Sequence, residues 1–119
     1  MVTVNLFQAE DADLISFRAG ETIFSEGETG DLMYVVRDGQ VDLRVKGQLV
    51  DALGPGGVLG EMALIEHAPR TATATARTDC TLVPIPEKRF TFMVQQTPHF
   101  ALQIMKVMAE RLRRMDERL

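Results

Sequence analysis

The sequence has a single cysteine, Cys80, in 119 residues, which excludes an internal disulfide and a cysteine-ligated iron–sulfur cluster within one chain. It has no excess of basic charge. Thirteen Lys and Arg stand against 17 Asp and Glu, and the net charge of −4 argues against a general polyanion binder. No apolar run approaches the length of a membrane span. The start, Met1-Val2-Thr3-Val4-Asn5, lacks the charged and apolar pattern of a secretion signal, so a cytoplasmic protein with no membrane partner is expected. The only two histidines, His67 and His99, stand far apart without a third partner, a poor basis for a metal centre. No nucleophile–base–orienter set is evident, and no Gly-rich motif ends in Lys-Ser or Lys-Thr. The chain is therefore expected to be neither an enzyme nor the holder of a metal or cofactor.

What is present suits one ordinary globular domain over residues 1–119, with 45% hydrophobic and 25% charged residues. Residues Met1 to Asp13 read as a mobile terminus or a loose helical turn. From Leu14 the pattern is of short strands: Leu14–Arg18, Thr22–Phe24, Met33–Arg37, Gln40–Lys46, Leu49–Leu53, Thr71–Ala76 and Thr81–Ile85. Asp38-Gly39 between two such runs predicts a two-residue hairpin. Val41, Leu43 and Val45 alternate with Asp42, Arg44 and Lys46, as a half-buried antiparallel strand does. Turns about every ten residues indicate a small sandwich or barrel. Cys80, before an apolar strand, reads as a small buried residue.

The period then changes to that of helices. Pro86-Glu87 opens a segment with an apolar stripe of Phe90, Met93 and Val94 that ends at Thr97-Pro98. A second helix carries Ala101, Ile104, Met105, Met108, Leu112, Met115 and Leu119, with a heptad-like spacing from Met108 onward. Glu110, Arg111, Arg113, Arg114, Asp116, Glu117 and Arg118 take its other faces.

Between the strands lies a stretch built differently. Four glycines fall within Gly54–Gly60, where ordinary core building would use side chains. Gly60 is followed by Glu61-Met62-Ala63-Leu64-Ile65, a short helix whose free N–H groups favour an anion in front of them. Arg70 follows a turn at Ala68-Pro69, able to hold a phosphate through parallel hydrogen bonds. Glu61 would repel phosphate, and makes sense if the ligand also carries a hydroxyl donor such as a ribose 2′-OH. The alternative for Arg70 is an ion pair with Glu61 and no ligand.

Leu59-Gly60-Glu61-Met62-Ala63-Leu64 together with Pro69-Arg70-Thr71-Ala72-Thr73 resembles the phosphate-binding cassette of cyclic-nucleotide-binding domains. The resemblance runs from about Leu14 to the end. It implies a mainly β fold with C-terminal helices: an eight-stranded double-stranded β-helix (jelly roll) over about 14–85, a hinge helix over about 86–96 and a long helix over about 98–119. It implies a ligand site made of Leu59, Gly60, Glu61, Met62, Ala63, Arg70, Thr71 and Ala72, with Glu61 on the ribose and Arg70 on the cyclic phosphate. The expected ligand is cAMP, or cGMP if Thr71 reaches a guanine amino group. Met108-Ala109-Glu110-Arg111-Leu112-Arg113-Arg114 resembles catabolite-activator and anaerobic-regulator relatives, in which a DNA-binding helix-turn-helix follows. Met115 and Asp116 fall where the catabolite activator presents two hydroxyls to adenine, so capping by Met108, Leu112 or Met115 is the alternative. The resemblance thus implies a non-catalytic sensor that signals through its last helix and binds no DNA itself, while the methionine and leucine stripe reads as helix packing or the seam of a homodimer. The other readings are the effector half of a Crp/Fnr-type transcription regulator and an interaction scaffold without nucleotide binding.

Overall fold

The computed structural model describes residues 14–118, with side chains described through residue 114. The expectations for Met1–Asp13 and Leu119 lie outside those residues, and those for the Met115 and Asp116 side chains lie outside the described side chains. The elements run β1 (Ile15–Phe17), β2 (Thr22–Phe24), β3 (Leu32–Asp38), β4 (Val41–Val45), β5 (Gln48–Leu53), β6 (Val58–Leu59), α1 (Glu61–Glu66), β7 (Thr73–Ala76), β8 (Cys80–Pro86), α2 (Glu87–Gln96) and α3 (His99–Arg118). The eight strands form two antiparallel sheets, ordered β1-β8-β3-β6 and β2-β7-β4-β5. This is the jelly roll with C-terminal helices that the resemblance implied.

Two apolar layers hold it together. Phe24, Tyr34, Val36, Val41, Leu43, Leu53, Leu59 and Leu82 fill the space between the sheets. Met33, Val35, Val58, Val83 and Ile85 face the other way and are covered by Leu64 of α1 and by Phe100, Ile104 and Val107 of α3. Strands β3 and β8 are thus apolar on both faces, which explains why they read as continuous runs. On β4 only Val41 and Leu43 are buried, as the alternation predicts. Cys80 is buried as the first residue of β8, and that burial pushes its thiol pKa up.

The Asp38-Gly39 hairpin is corrected by the pairing. β3 bonds to β6 and β8, whereas β4 bonds to β5 and β7, so this turn carries the chain from one sheet to the other. Close approach there demands glycine: a Cβ on Gly39, at φ +87°, would lie 2.2 Å from the Asp79 carbonyl oxygen. The local hairpin is β4–β5, with Val45 opposite Gln48. Its turn residues Lys46 and Gly47 both have positive φ, 52° and 80°, the backbone of a type I′ turn.

The apolar face of α3 also differs from expectation. Phe100, Ile104 and Val107 are buried, while Met105 and Leu112 are 59% and 64% exposed. Leu102, Met105, Ala109 and Leu112 are all exposed, again at heptad spacing. Of the expected stripe, Ile104 and Met108 pack against the core, whereas Met105 and Leu112 do not. Phe90 of α2 meets Phe100 edge-on at 5.5 Å, which fixes the crossing of the two helices.

Docking of α3 rests on few side chains, and its stability follows from them. Ile104→Ala should lower the unfolding free energy by roughly 2–5 kcal/mol in urea titrations, through lost burial and the cavity left behind. Lys106→Ala, on the exposed side of the same helix, should stay within about 0.5 kcal/mol of wild type.

Candidate functional site

Three charged side chains are buried in the described residues: Asp51, Glu61 and Arg70. Burying a charge is expensive without compensation, so their surroundings define the site. Glu61 opens α1 directly after Gly60, which holds φ +79°. A Cβ on Gly60 would stand 2.6 Å from Arg70 Nη1 and 3.1 Å from the Leu32 carbonyl oxygen. Backbone conformation and proximity both require glycine at this position.

Arg70 reaches the same place from the loop before β7. Its backbone is tied to the β2–β3 loop, with Gly27 N–H donating to the Arg70 carbonyl and Arg70 N–H to that of Glu28, both at 2.8 Å. Its Nη1 donates to the Gly60 carbonyl at 3.2 Å. Burial lowers the guanidinium pKa, opposed by the nearby Tyr34, Asp31, Glu28 and Glu61. The group stays charged at any ordinary pH.

The expected alternative, an Arg70–Glu61 ion pair, is not what forms. Glu61 Oε1 instead accepts from Arg111 Nη1 of α3 at 2.7 Å. Arg111 also donates from Nε to Asp51 Oδ2 at 3.1 Å and from Nη2 to the Val58 carbonyl at 2.5 Å. Arg114 pairs with Asp51 and, at 2.7 Å, with Glu110. Arg111, expected off the apolar stripe among the charged faces of its helix, lies inward. Its side chain is 13% exposed. The signal that could have found it is Asp51, an acid within the apolar run Leu49-Val50-Asp51-Ala52-Leu53. A bulge hides that signal: Leu43 faces Asp51 and Arg44 faces Leu49, leaving Val50 as the extra residue. Strict alternation would not bury Val50 and Asp51 together, but both are buried.

Glu61 Oε2 is buried and has no hydrogen-bond partner. Glu61 and Arg70 line one cavity of about 380 Å³, a size typical of small-molecule sites. Gly60, Met62, Ala63, Thr71 and Ala72 also line it, together with Phe24, Leu43, Val45, Val50, Met108, Ala109, Arg111 and Leu112. Leu59, the remaining expected site residue, is outside this lining and fully buried between the sheets. The cavity lining therefore carries Arg70, Arg111 and a half-satisfied carboxylate among mainly apolar residues. Such a cavity suits a ligand with an anionic group, a hydroxyl and a flat apolar part. Among the described residues no group of three or more His, Cys, Asp and Glu gathers to hold a metal ion. No helix among them is long and apolar enough to cross a membrane.

The chain belongs to the cyclic nucleotide-binding domain family, whose sequence profile matches residues 14–97. It is similar to the CRP-like cAMP-activated global transcriptional regulator of Mycobacterium tuberculosis, with 30% identity over 110 residues, covering 88% of this chain and 49% of that protein. It spans about half the length of the curated relatives it matches. Among solved structures it is similar to cAMP-bound PfPKA-R, with a TM-score of 0.78 and 26% identity over 87% of this chain and 36% of that one. Thermus thermophilus catabolite activator protein gives a TM-score of 0.76 and 30% identity over 88% of this chain and 52% of that one. An EAL enzyme in a cGMP-bound form gives 0.66 and 29% identity, over 87% of this chain and 29% of that one.

The shared network makes a direct prediction. Arg111→Ala would leave Asp51 and Glu61 buried without their common partner and should cost roughly 3–5 kcal/mol in chemical denaturation. Arg113→Ala, on the exposed face, should leave the midpoint within about 0.5 kcal/mol. Equal effects of the two would refute the network.

Proposed function

We propose that this chain is a non-catalytic sensor that binds a cyclic nucleotide, cAMP first and cGMP second, and passes the signal through α3. The observation that carries this reading is that Arg70 and Glu61, whose Oε2 has no hydrogen-bond partner, line one cavity. Arg70 takes the cyclic phosphate, and Glu61 Oε2 accepts a hydrogen bond from the ribose 2′-OH. The backbone of Gly60, Met62, Ala63 and Ala72 frames the sugar phosphate. Thr71 stands beside the phosphate end, where its hydroxyl can reach a base, and Met108 and Leu112 of α3 offer apolar cover for that base. The cAMP-activated and cAMP-bound relatives favour cAMP, while Thr71 and the cGMP-bound EAL enzyme support cGMP as second choice.

Coupling rests on one carboxylate serving two partners. Glu61 holds Arg111 of α3 with one oxygen and offers the other to the ribose, so ligand and helix share a single anchor. A ligand biases the α3 position only by its unequal affinity for the states that position defines. Hydrogen exchange of α3 should slow when the nucleotide is bound.

A second reading, the effector half of a Crp/Fnr-type regulator, draws on the half-length match to such a regulator. The exposed seam Leu102, Met105, Ala109 and Leu112 suits a homodimer through α3 in either case. Light scattering should then give a dimer that Met105→Glu dissociates. On either reading this chain makes no direct contact with DNA or membrane and works in the cytoplasm.

Calorimetric titration tests the central assignment. Arg70→Ala should weaken cAMP binding by roughly 2–5 kcal/mol, the effect of removing one buried charged partner. The 2′-deoxy analogue should bind more weakly to wild type and no more weakly than cAMP to Glu61→Gln. Unchanged affinity in the arginine variant would overturn the phosphate role.

A further inference from the structure

Arg70 differs from the other inward arginine in how its charge is held. Arg111 is met by two carboxylates. Among the described residues Arg70 has no ion-pair partner, and its hydrogen bond to the Gly60 carbonyl is with a neutral group. What lies against it is a ring. Arg70 Cζ is 4.3 Å from the centroid of Phe24, a side chain 6% exposed and itself stacked on Tyr34 at 6.3 Å. On another side there is bare backbone: a Cβ on Gly30 would fall 2.4 Å from Arg70 Nε and 2.5 Å from Nη2.

We propose that Phe24 is a positioning residue for phosphate recognition, its ring carrying the Arg70 cation while Gly30 leaves the space in which the guanidinium lies. The proposal rests on the cyclic-nucleotide reading of the cavity and adds to it the means by which the cation is kept ready. A carboxylate in place of the ring would neutralise Arg70, occupy its N–H groups and have to be displaced by an arriving phosphate. A ring face attracts the cation through its quadrupole and has no net charge. The positive charge therefore remains available to the ligand. Because the guanidinium is already seated, less side-chain freedom is lost on binding.

The test separates electronic from merely structural effects. Phe24→Leu keeps an apolar side chain of similar size and should weaken cAMP binding about 3- to 30-fold, the range expected for a desolvated cation–π contact. Phenylalanines with increasing fluorination at position 24 keep the ring shape and drain its face of negative charge. Affinity should fall stepwise with fluorine number, which a packing role alone would not produce. In Gly30→Ala the atoms met are the flexible end of Arg70, so the melting temperature should hold while affinity drops. A second readout needs no ligand: the Arg70 Nε–H, assigned by its loss in Arg70→Lys, should show an upfield ring-current shift that Phe24→Leu abolishes. Should wild type bind no cyclic nucleotide, the ligand reading falls and this ring-current shift alone decides the role of Phe24. Equal affinity across the fluorinated series, or an Arg70 resonance without that shift, overturns the proposal.

Discussion

A buried guanidinium that no carboxylate meets in a direct ion pair is the constraint from which the site follows. Two arginines enter the same region, and the structure treats them in opposite ways. Arg111 is neutralised by Asp51 and Glu61 and ends against the Val58 carbonyl, so its charge is consumed in fastening α3 to the β-roll. Arg70 rests on Phe24 and the Gly60 carbonyl, partners that leave its charge in place. A buried ion pair neutralises itself, whereas a buried lone cation attracts an anion. That difference is the ground on which Arg70, and not Arg111, is proposed to receive the anion.

The fold brings these groups together from distant parts of the sequence. Arg70 is tied to the β2–β3 loop, Glu61 starts α1, Asp51 sits at a bulge of β5, and Arg111 comes from the last helix. Each is held by backbone geometry that few residues allow: the left-handed Gly60, the open space at Gly30 and the extra residue Val50. The mainly apolar remainder of the cavity strengthens whatever electrostatic contact is made at its charged groups, since screening by water is weaker there.

How much of this could be read beforehand depended on whether a signal was local. Gly60, Glu61 and Arg70 stand within eleven consecutive residues, and glycine, acid and arginine each have a chemical reason to be there. The helices were legible because their period is local too. The partners of strands were not. Asp38-Gly39 has the composition of a hairpin turn, yet a turn dipeptide says only that the chain reverses, not which sheet receives it. The inward face of α3 was read only in part: Ile104 and Met108 do pack inward, but Met105 and Phe100 are equally apolar in sequence, and only the sheet beneath decides which is buried. Phe24 and Arg111 were missed for a related reason. A phenylalanine in a strand looks like core, and an arginine on a charged helix looks like surface, until the element opposite is known.

The order of pairing along the chain has a kinetic meaning. Apart from the β4–β5 hairpin, the roll is closed by strands far apart in sequence, Ile15 with Leu82 and Thr22 with Thr75. Such closure forfeits chain entropy before contacts repay it, and topologies of this sort fold in roughly milliseconds to seconds rather than microseconds. The segment with Glu61 and Arg70 lies inside these closing loops, and its last anchor, Arg111, is contributed by the final helix. A growing chain leaving the ribosome would therefore have no assembled cavity until α3 had emerged. Sensitivity to a ligand would begin only with the finished domain.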